Sequence, residues 1–367
     1  MNIQVFFQNI HFSFTAFSIF SMPDSNVTQR LLTLLIVSII VFLAAYWEVG
    51  TMYQLRGIYT YPIPQKITNG IDGVLLEPVA EDPQTYAGYS HKEDINFLIL
   101  RQGVVNDVLK HYPNVRWLQL LNAGFEKVDL DMLKARGIVF TNARSVYCAT
   151  IAEDVIAKIL LLGRNYLRHF RDQENCFWPD DAQLPNYNLD ISGKVLGILG
   201  AGAIGREIAL RAKVFGMEVR GYDPYVNAQA GFDTIYSKDG GLERLLWESD
   251  FVVTSLPVTK ETRDIINADT LRMMKPTAFL INVARGEIIN EADLVYALNN
   301  GVIAGAALDV TKHEPLPAVD PLWKAKNILI TPHRAAYGDK MIARMNALIE
   351  RNIHHWLAGK PLEDRIL

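Results

Sequence analysis

Residues 194–224 read KVLGILGAGAIGREIALRAKVFGMEVRGYDP, a strand, a glycine-rich turn, a helix and a second strand closed by an acid. Val195–Leu199 is a short apolar run that predicts a buried strand. Gly200, Gly202 and Gly205 follow in the spacing Gly-x-Gly-x-x-Gly. The first permits a tight turn, the second lets backbone amides approach a pyrophosphate, and the third lets the helix pack close to the sheet. Ala203 and Ile204 stand at the predicted helix N-terminus, where oriented amides and a partial positive charge favour phosphate. Asp223 closes the second strand, 18 residues after Gly205. A carboxylate there hydrogen-bonds a ribose 2′-hydroxyl and repels a 2′-phosphate. A glycine triplet alone is a weak signal. With strand, helix, strand and acid in place it predicts dinucleotide binding, and Asp223 predicts NAD over NADP.

Downstream, three apolar runs (AFLINV, GAALDV and NILIT) read as buried parallel strands. Arg285, Glu314 and His333 lie at or just beyond their ends. Ligands of open α/β sheets bind outside the carboxyl ends of the strands. A guanidinium, a carboxylate and an imidazole delivered there can bind an anion and move a proton. Asn290 with Asp293 predicts an N-capped helix over DLVYAL, ended by Gly301.

Upstream, from about Arg56, RGIYTYP, INFLILR, WLQLLNA and GIVFTNA read as strands of a first unit, with helices at VVNDVLKHYP and EKVDLDMLKARG between them. A long helix is expected from about Thr150 to Arg171 as a strut between domains. FWPDDAQLPNYNLDISG is polar and proline-punctuated, a linker or an arm reaching a partner subunit. After His333, KMIARMNALIERNIHHWLAG is an amphipathic helix.

The chain has 367 residues, room for two domains of ordinary size. Its net charge of −4 and lack of a dense Lys/Arg block argue against a nucleic-acid partner. Two isolated cysteines, Cys148 and Cys176, make neither a disulfide framework nor a zinc site, and no metal site is expected. Residues 1–50 form a hydrophobic extension in which Leu31–Trp47 is uncharged. As a helix this run would reach about 25 Å, near the lower limit for a membrane span. Arg56 and Lys66 beyond it, with Tyr46 and Trp47 as interfacial aromatics, lead us to expect membrane attachment through 31–47 with the catalytic part facing the cytoplasm. The alternative is a mis-assigned start and a cytoplasmic enzyme.

From Asp250 to Ala336 the sequence resembles the D-isomer-specific 2-hydroxyacid dehydrogenase family nearly continuously, in SDFVVTSLPVTKETRDIIN, MMKPTAFLINVARGEIINEADLVYALNNGVIAGAALDV, EPLPAVDPLW and NILITPHRAA. The resemblance implies that Arg285 holds the substrate carboxylate and polarises the adjacent carbonyl, which a planar guanidinium suits. It implies that His333 gives and takes the proton, and that Glu314 orients the imidazole and favours its protonated form. Formate dehydrogenases of this fold carry Gln where Glu314 stands, so hydroxyacid chemistry is expected. Pro257, Val283, Ala284 and Asp309 match positions beside the cofactor. LILRQG, with Gln102 and Gly103, and LNAGFEKVDLDML, with Asn122, Ala123 and Gly124, resemble the two substrate-domain loops. Residues 58–93 depart from the family's usual spacing.

The sequence therefore predicts an α/β enzyme in which a Rossmann-type doubly wound parallel sheet (150–336, with the interdomain helix) is inserted into a flavodoxin-like substrate domain (51–149 and 337–367). It would interconvert a small 2-oxo acid and its D-2-hydroxy acid with NAD, with glyoxylate or hydroxypyruvate expected before 3-phosphoglycerate. A homodimer follows from the resemblance. The competing reading is a corepressor-like protein that senses the dinucleotide with little turnover.

Overall fold

The computed structural model describes residues 54–180, 188–237 and 240–367. Within them, two wholly parallel sheets carry the molecule. The first joins β1 (Leu55–Tyr59), β2 (Val74–Pro78), β3 (Phe97–Leu100), β4 (Trp117–Leu120) and β5 (Val139–Thr141) in the order β2-β1-β3-β4-β5. That is the flavodoxin-like order, with α1 (Gln65–Thr68), α2 (Pro83–Gly88), α3 (Val105–Leu109) and α4 (Leu130–Ala135) between successive strands. The second joins β6 (Val195–Leu199), β7 (Glu218–Tyr222), β8 (Thr234–Tyr236), β9 (Phe251–Thr254), β10 (Phe279–Asn282), β11 (Gly305–Leu308) and β12 (Ile328–Ile330) in the order β12-β11-β10-β9-β6-β7-β8. The order reverses between β6 and β9, which makes a crevice at their carboxyl ends. This is a parallel-sheet α/β fold of Rossmann type.

Apolar strands form because helices cover both faces. In the seven-stranded sheet, β9 and β10 are buried at every position. One face packs on α5 (Arg144–Gly163) and α7 (Ala203–Val214), with Val155, Ile159 and Ile208 against Ile198, Val253 and Ile281. The other packs on α8 (Gly241–Glu248), α9 (Ala268–Met273) and α10 (Glu291–Asn299) through Leu245, Leu271 and Leu294. The five-stranded sheet is covered on one face by the C-terminal helix α11 (Met341–Leu357), whose Met345, Leu348, Ile349 and Ile353 meet Leu55, Phe97 and Trp117. Trp117 is fully buried, stacked between Phe97 and Trp356. The chain thus leaves the first sheet, builds the second, and returns to close the first.

Three expectations are corrected. β2 was not foreseen: VLLEP is short and ends in proline, which argues against a central strand, but it pairs only with β1 at the sheet edge, where proline is tolerated. The strut helix begins at Arg144 rather than near Thr150, and it stops at Gly163. Asn165 (φ +56°) then turns the chain into a separate helix α6 (Tyr166–Glu174). Asparagine tolerates this left-handed conformation, so the apolar periodicity continued across a break it could not reveal. The third correction concerns location. No helix among the described residues is long and apolar enough to cross a membrane, so the expectation of a membrane-anchored enzyme is withdrawn. The run Leu31–Trp47 that prompted it lies outside the described residues.

Candidate active site

The glycine loop occupies the crevice where strand order reverses. Gly200 has φ +101°, a conformation that side chains rarely adopt, and a Cβ there would lie 3.0 Å from the Ser255 backbone beyond β9. At Gly205 a Cβ would come within 2.1 Å of the Gly200 carbonyl oxygen, so helix α7 could not seat against the turn. Gly202 differs from both: nothing lies within 4 Å of its absent Cβ. Protein packing therefore gives no reason for glycine at 202, whereas an exposed loop crest under a closely approaching phosphate does. Gly202 N-caps α7 without a side-chain bond, which leaves amides of the first turn to a ligand. The Asp223 carboxylate accepts from Ala201 N (2.9 Å), Tyr225 N (2.9 Å) and Val226 N (3.2 Å). It braces the loop it faces and keeps one lone pair on Oδ2 for a ribose hydroxyl. The cradle fits a dinucleotide.

Two loops at the carboxyl ends of β11 and β12 bring an imidazole to a carboxylate. His333 Nδ1 and Glu314 Oε2 are 2.7 Å apart, and Glu314 Oε1 accepts from Thr311 N at 3.2 Å. His333 has φ +54°, a strained conformation for a side-chain-bearing residue, held by its amide on the Asp309 carbonyl (2.8 Å). The Asp309 side chain is almost fully buried and accepts from Thr331 Oγ1 (2.5 Å), Arg334 N (2.9 Å) and Ala335 N (2.9 Å). Asp309 thus shapes the His333 loop with both carboxylate oxygens.

Arg285 follows β10 on a turn shaped by a residue the sequence did not single out. Asn282, fully buried, accepts from Thr254 Oγ1 (2.7 Å) and Ala284 N (3.0 Å) and donates to the Arg285 carbonyl (2.9 Å). A polar residue at the end of an apolar strand was its only signal. Gly286 lets this turn pass the β11 loop, since a Cβ there would lie 2.0 Å from the Thr311 carbonyl carbon. Val283 and Ala284 are buried, and Pro257 is exposed at the end of β9. Among the described residues, Arg285 hydrogen-bonds to neither His333 nor Glu314. Its Nη1 donates to the Ala284 carbonyl (2.6 Å) and its Nη2 pairs with Glu126 of the other sheet (3.0 Å). Glu126 and Asn282 are the site residues that sequence reasoning missed. The Gln102 amide donates to Asn122 Oδ1 (3.0 Å), which ties the two substrate-side loops together, and Gly103 is open to solvent.

Residues 156–335 match the model of the D-isomer specific 2-hydroxyacid dehydrogenase NAD binding domain. A glyoxylate reductase of Korarchaeum cryptofilum is 34% identical over 71% of this chain and 79% of its own. The chain belongs to the D-isomer-specific 2-hydroxyacid dehydrogenase family. A crystal structure of a member from Aeromonas salmonicida superposes with a TM-score of 0.71 at 29% identity, covering 86% of this chain and 99% of that one. An NADPH-dependent glyoxylate/hydroxypyruvate reductase from Sinorhizobium meliloti gives 0.70 at 25% identity, with 85% and 98% covered. This dehydrogenase is therefore an oxidoreductase that interconverts a 2-oxo acid and its D-2-hydroxy acid by hydride transfer with a nicotinamide dinucleotide. The relatives are enzymes by name, which favours turnover over the dinucleotide-sensing reading.

Proposed function

We propose that this dehydrogenase reduces glyoxylate or hydroxypyruvate with NADH, through Arg285, His333 and Glu314. The observation that carries the reading is the His333–Glu314 pair at the carboxyl end of the sheet that also carries the glycine cradle. Bound in the cradle of Gly200, Gly202, Ala203, Ile204 and Gly205, the dinucleotide would supply or accept the hydride. With Nδ1 engaged by Glu314, the His333 Nε2 is the nitrogen free to donate a proton to the substrate carbonyl oxygen and to recover it in reverse. Glu314 would fix the orientation of the ring through this 2.7 Å contact. Arg285 would hold the substrate carboxylate with parallel hydrogen bonds, and the amides of Gln102 and Gly103 would meet the same group.

Asp223 supports NAD over NADP, because a 2′-phosphate would meet a carboxylate there. The small 2-oxo acid is proposed from the relatives' named activities. We also propose the division into a substrate domain (51–149 and 337–367) and a dinucleotide domain (150–336), supported by helix α11 packing on the first sheet, and a homodimer. The test is steady-state oxidation of NADH and NADPH with a panel of 2-oxo acids. Turnover of glyoxylate or hydroxypyruvate with NADH preferred is expected. Preference for a phosphorylated 2-hydroxy acid, or for NADPH, would overturn the corresponding part.

A further inference from the structure

We infer that Glu126 is an internal occupant of the anion seat on Arg285, so that substrate enters by exchanging one carboxylate for another. The inference rests on the reading of Arg285 as the substrate's carboxylate clamp and adds a competitor for that clamp.

Glu126 follows β4 and Arg285 follows β10, so their 3.0 Å ion pair joins loops of two different sheets. Among the described residues, Arg285 is the one cation within ion-pair distance of Glu126. The guanidinium lies directly over Gly124: a Cβ there would fall 1.9 Å from Nη2 and 2.7 and 2.9 Å from the two Glu126 carboxylate oxygens. Glycine at 124 is thus what lets the pair form. The turn AGFE brings Glu126 back over its own backbone onto the arginine.

The remaining donors show why this matters. Nη1 donates to the Ala284 carbonyl and Nη2 is paired with Glu126, so an incoming 2-oxo acid must compete with a resident carboxylate for the guanidinium. Both side chains are about one-third exposed (32% and 36%), which leaves Glu126 a solvated position to swing into when displaced. A half-exposed pair of this kind is weak enough to exchange, yet it must be broken before the clamp works. Glu126 therefore weakens substrate binding without touching the chemical step. It also keeps the arginine screened and the two loops in register until substrate arrives.

The test is a double-mutant cycle of wild type, Glu126→Gln, Arg285→Gln and the double variant. The readouts are kcat and KM for glyoxylate, and the affinity of the unreactive analogue oxamate for the NADH-loaded enzyme, measured by calorimetry. Glu126→Gln is expected to lower KM and the oxamate Kd about two- to fivefold, with kcat nearly unchanged. In the Arg285→Gln background the same change should do nothing. If Arg285→Gln weakens oxamate but Glu126→Gln leaves it unchanged or weaker, the exchange is overturned and the clamp stands. If Arg285→Gln leaves oxamate affinity untouched, the clamp reading itself falls. Glu126→Ala serves as the second variant, and a thermal melt of each confirms an intact fold.

Discussion

The dinucleotide crevice and the proposed substrate seat lie at the carboxyl ends of two sheets of the same parallel kind, yet they are built by different means. The crevice is local. Its glycine turn, helix start and acid fall within one run of 24 residues, from Gly200 to Asp223, and the hydrogen bonds that shape it run between backbone amides and one carboxylate. The seat is long-range. It needs Arg285 from one sheet to meet Gly124 and Glu126 from the other, and His333 to meet Glu314 across two loops. Local backbone geometry is written in residue types such as glycine, because few residues tolerate it. Long-range ion pairs are written in ordinary charged residues found all over the surface: motifs marked Arg285, Glu314 and His333, but nothing in the sequence marked Glu126 as a partner.

Four measurements test this contrast. The largest effect is expected at His333. His333→Ala should lower kcat about 10²–10⁴-fold while NADH affinity, followed by its fluorescence, stays within about twofold. A comparable loss of NADH affinity would mean that crevice and seat are one unit. Next come the glycines. Gly205→Ala should destabilise the fold by about 1–3 kcal/mol, because its Cβ has no space beside the Gly200 carbonyl, whereas Gly202→Ala should leave the melting temperature unchanged and still weaken NADH binding. Equal effects of the two on melting would refute a crest kept open for ligand.

Asp223→Ser should bring a smaller change. Loss of one charge-assisted hydrogen bond to ribose should cut kcat/KM for NADH about tenfold, roughly 1.4 kcal/mol, and improve NADPH relative to it. An unchanged ratio of the two cofactors would show that Asp223 only braces its own turn. The smallest effect lies on the substrate side, at the C-terminal tail. Paired hydrogen bonds from Arg351 (2.7 and 3.0 Å) hold the Glu363 carboxyl below the ordinary carboxylate range. A depressed folded-state value gives stability that is present above the unfolded carboxylate pKa and lost as pH falls through the folded one. On this surface it amounts to less than about 0.5 kcal/mol. Arg351→Gln should lower the melting temperature by about one degree at pH 7 and by less at pH 3. An equal drop at both pH values would point to lost packing instead.

How much of this was legible in the chain follows the same division. The strand Val195–Leu199, the cap at Asn290 (accepting from Asp293 N at 3.2 Å) and the stop at Gly301 (φ +69°) were read residue by residue, because each depends on its immediate neighbours. β2 and the break at Asn165 were not, since an edge position and a left-handed turn are fixed by what packs alongside. Asp309 was expected beside the nicotinamide, and its carboxylate holds the loop that presents His333. The residue was visible in the sequence; its partners were not.

A dinucleotide cradle, a parallel α/β plan and three chargeable residues at strand ends are legible in the amino-acid order alone. Those are consequences of short-range sterics and of apolar periodicity, which one chain segment carries alone. Only the tertiary structure decided that Glu126 sits on Arg285, that Asn282 shapes the arginine's turn and that Asp309 shapes the histidine's. Each of these depends on which distant backbones approach closely enough for a hydrogen bond, and that distance is set by the packing of two sheets and not by any one stretch of residues.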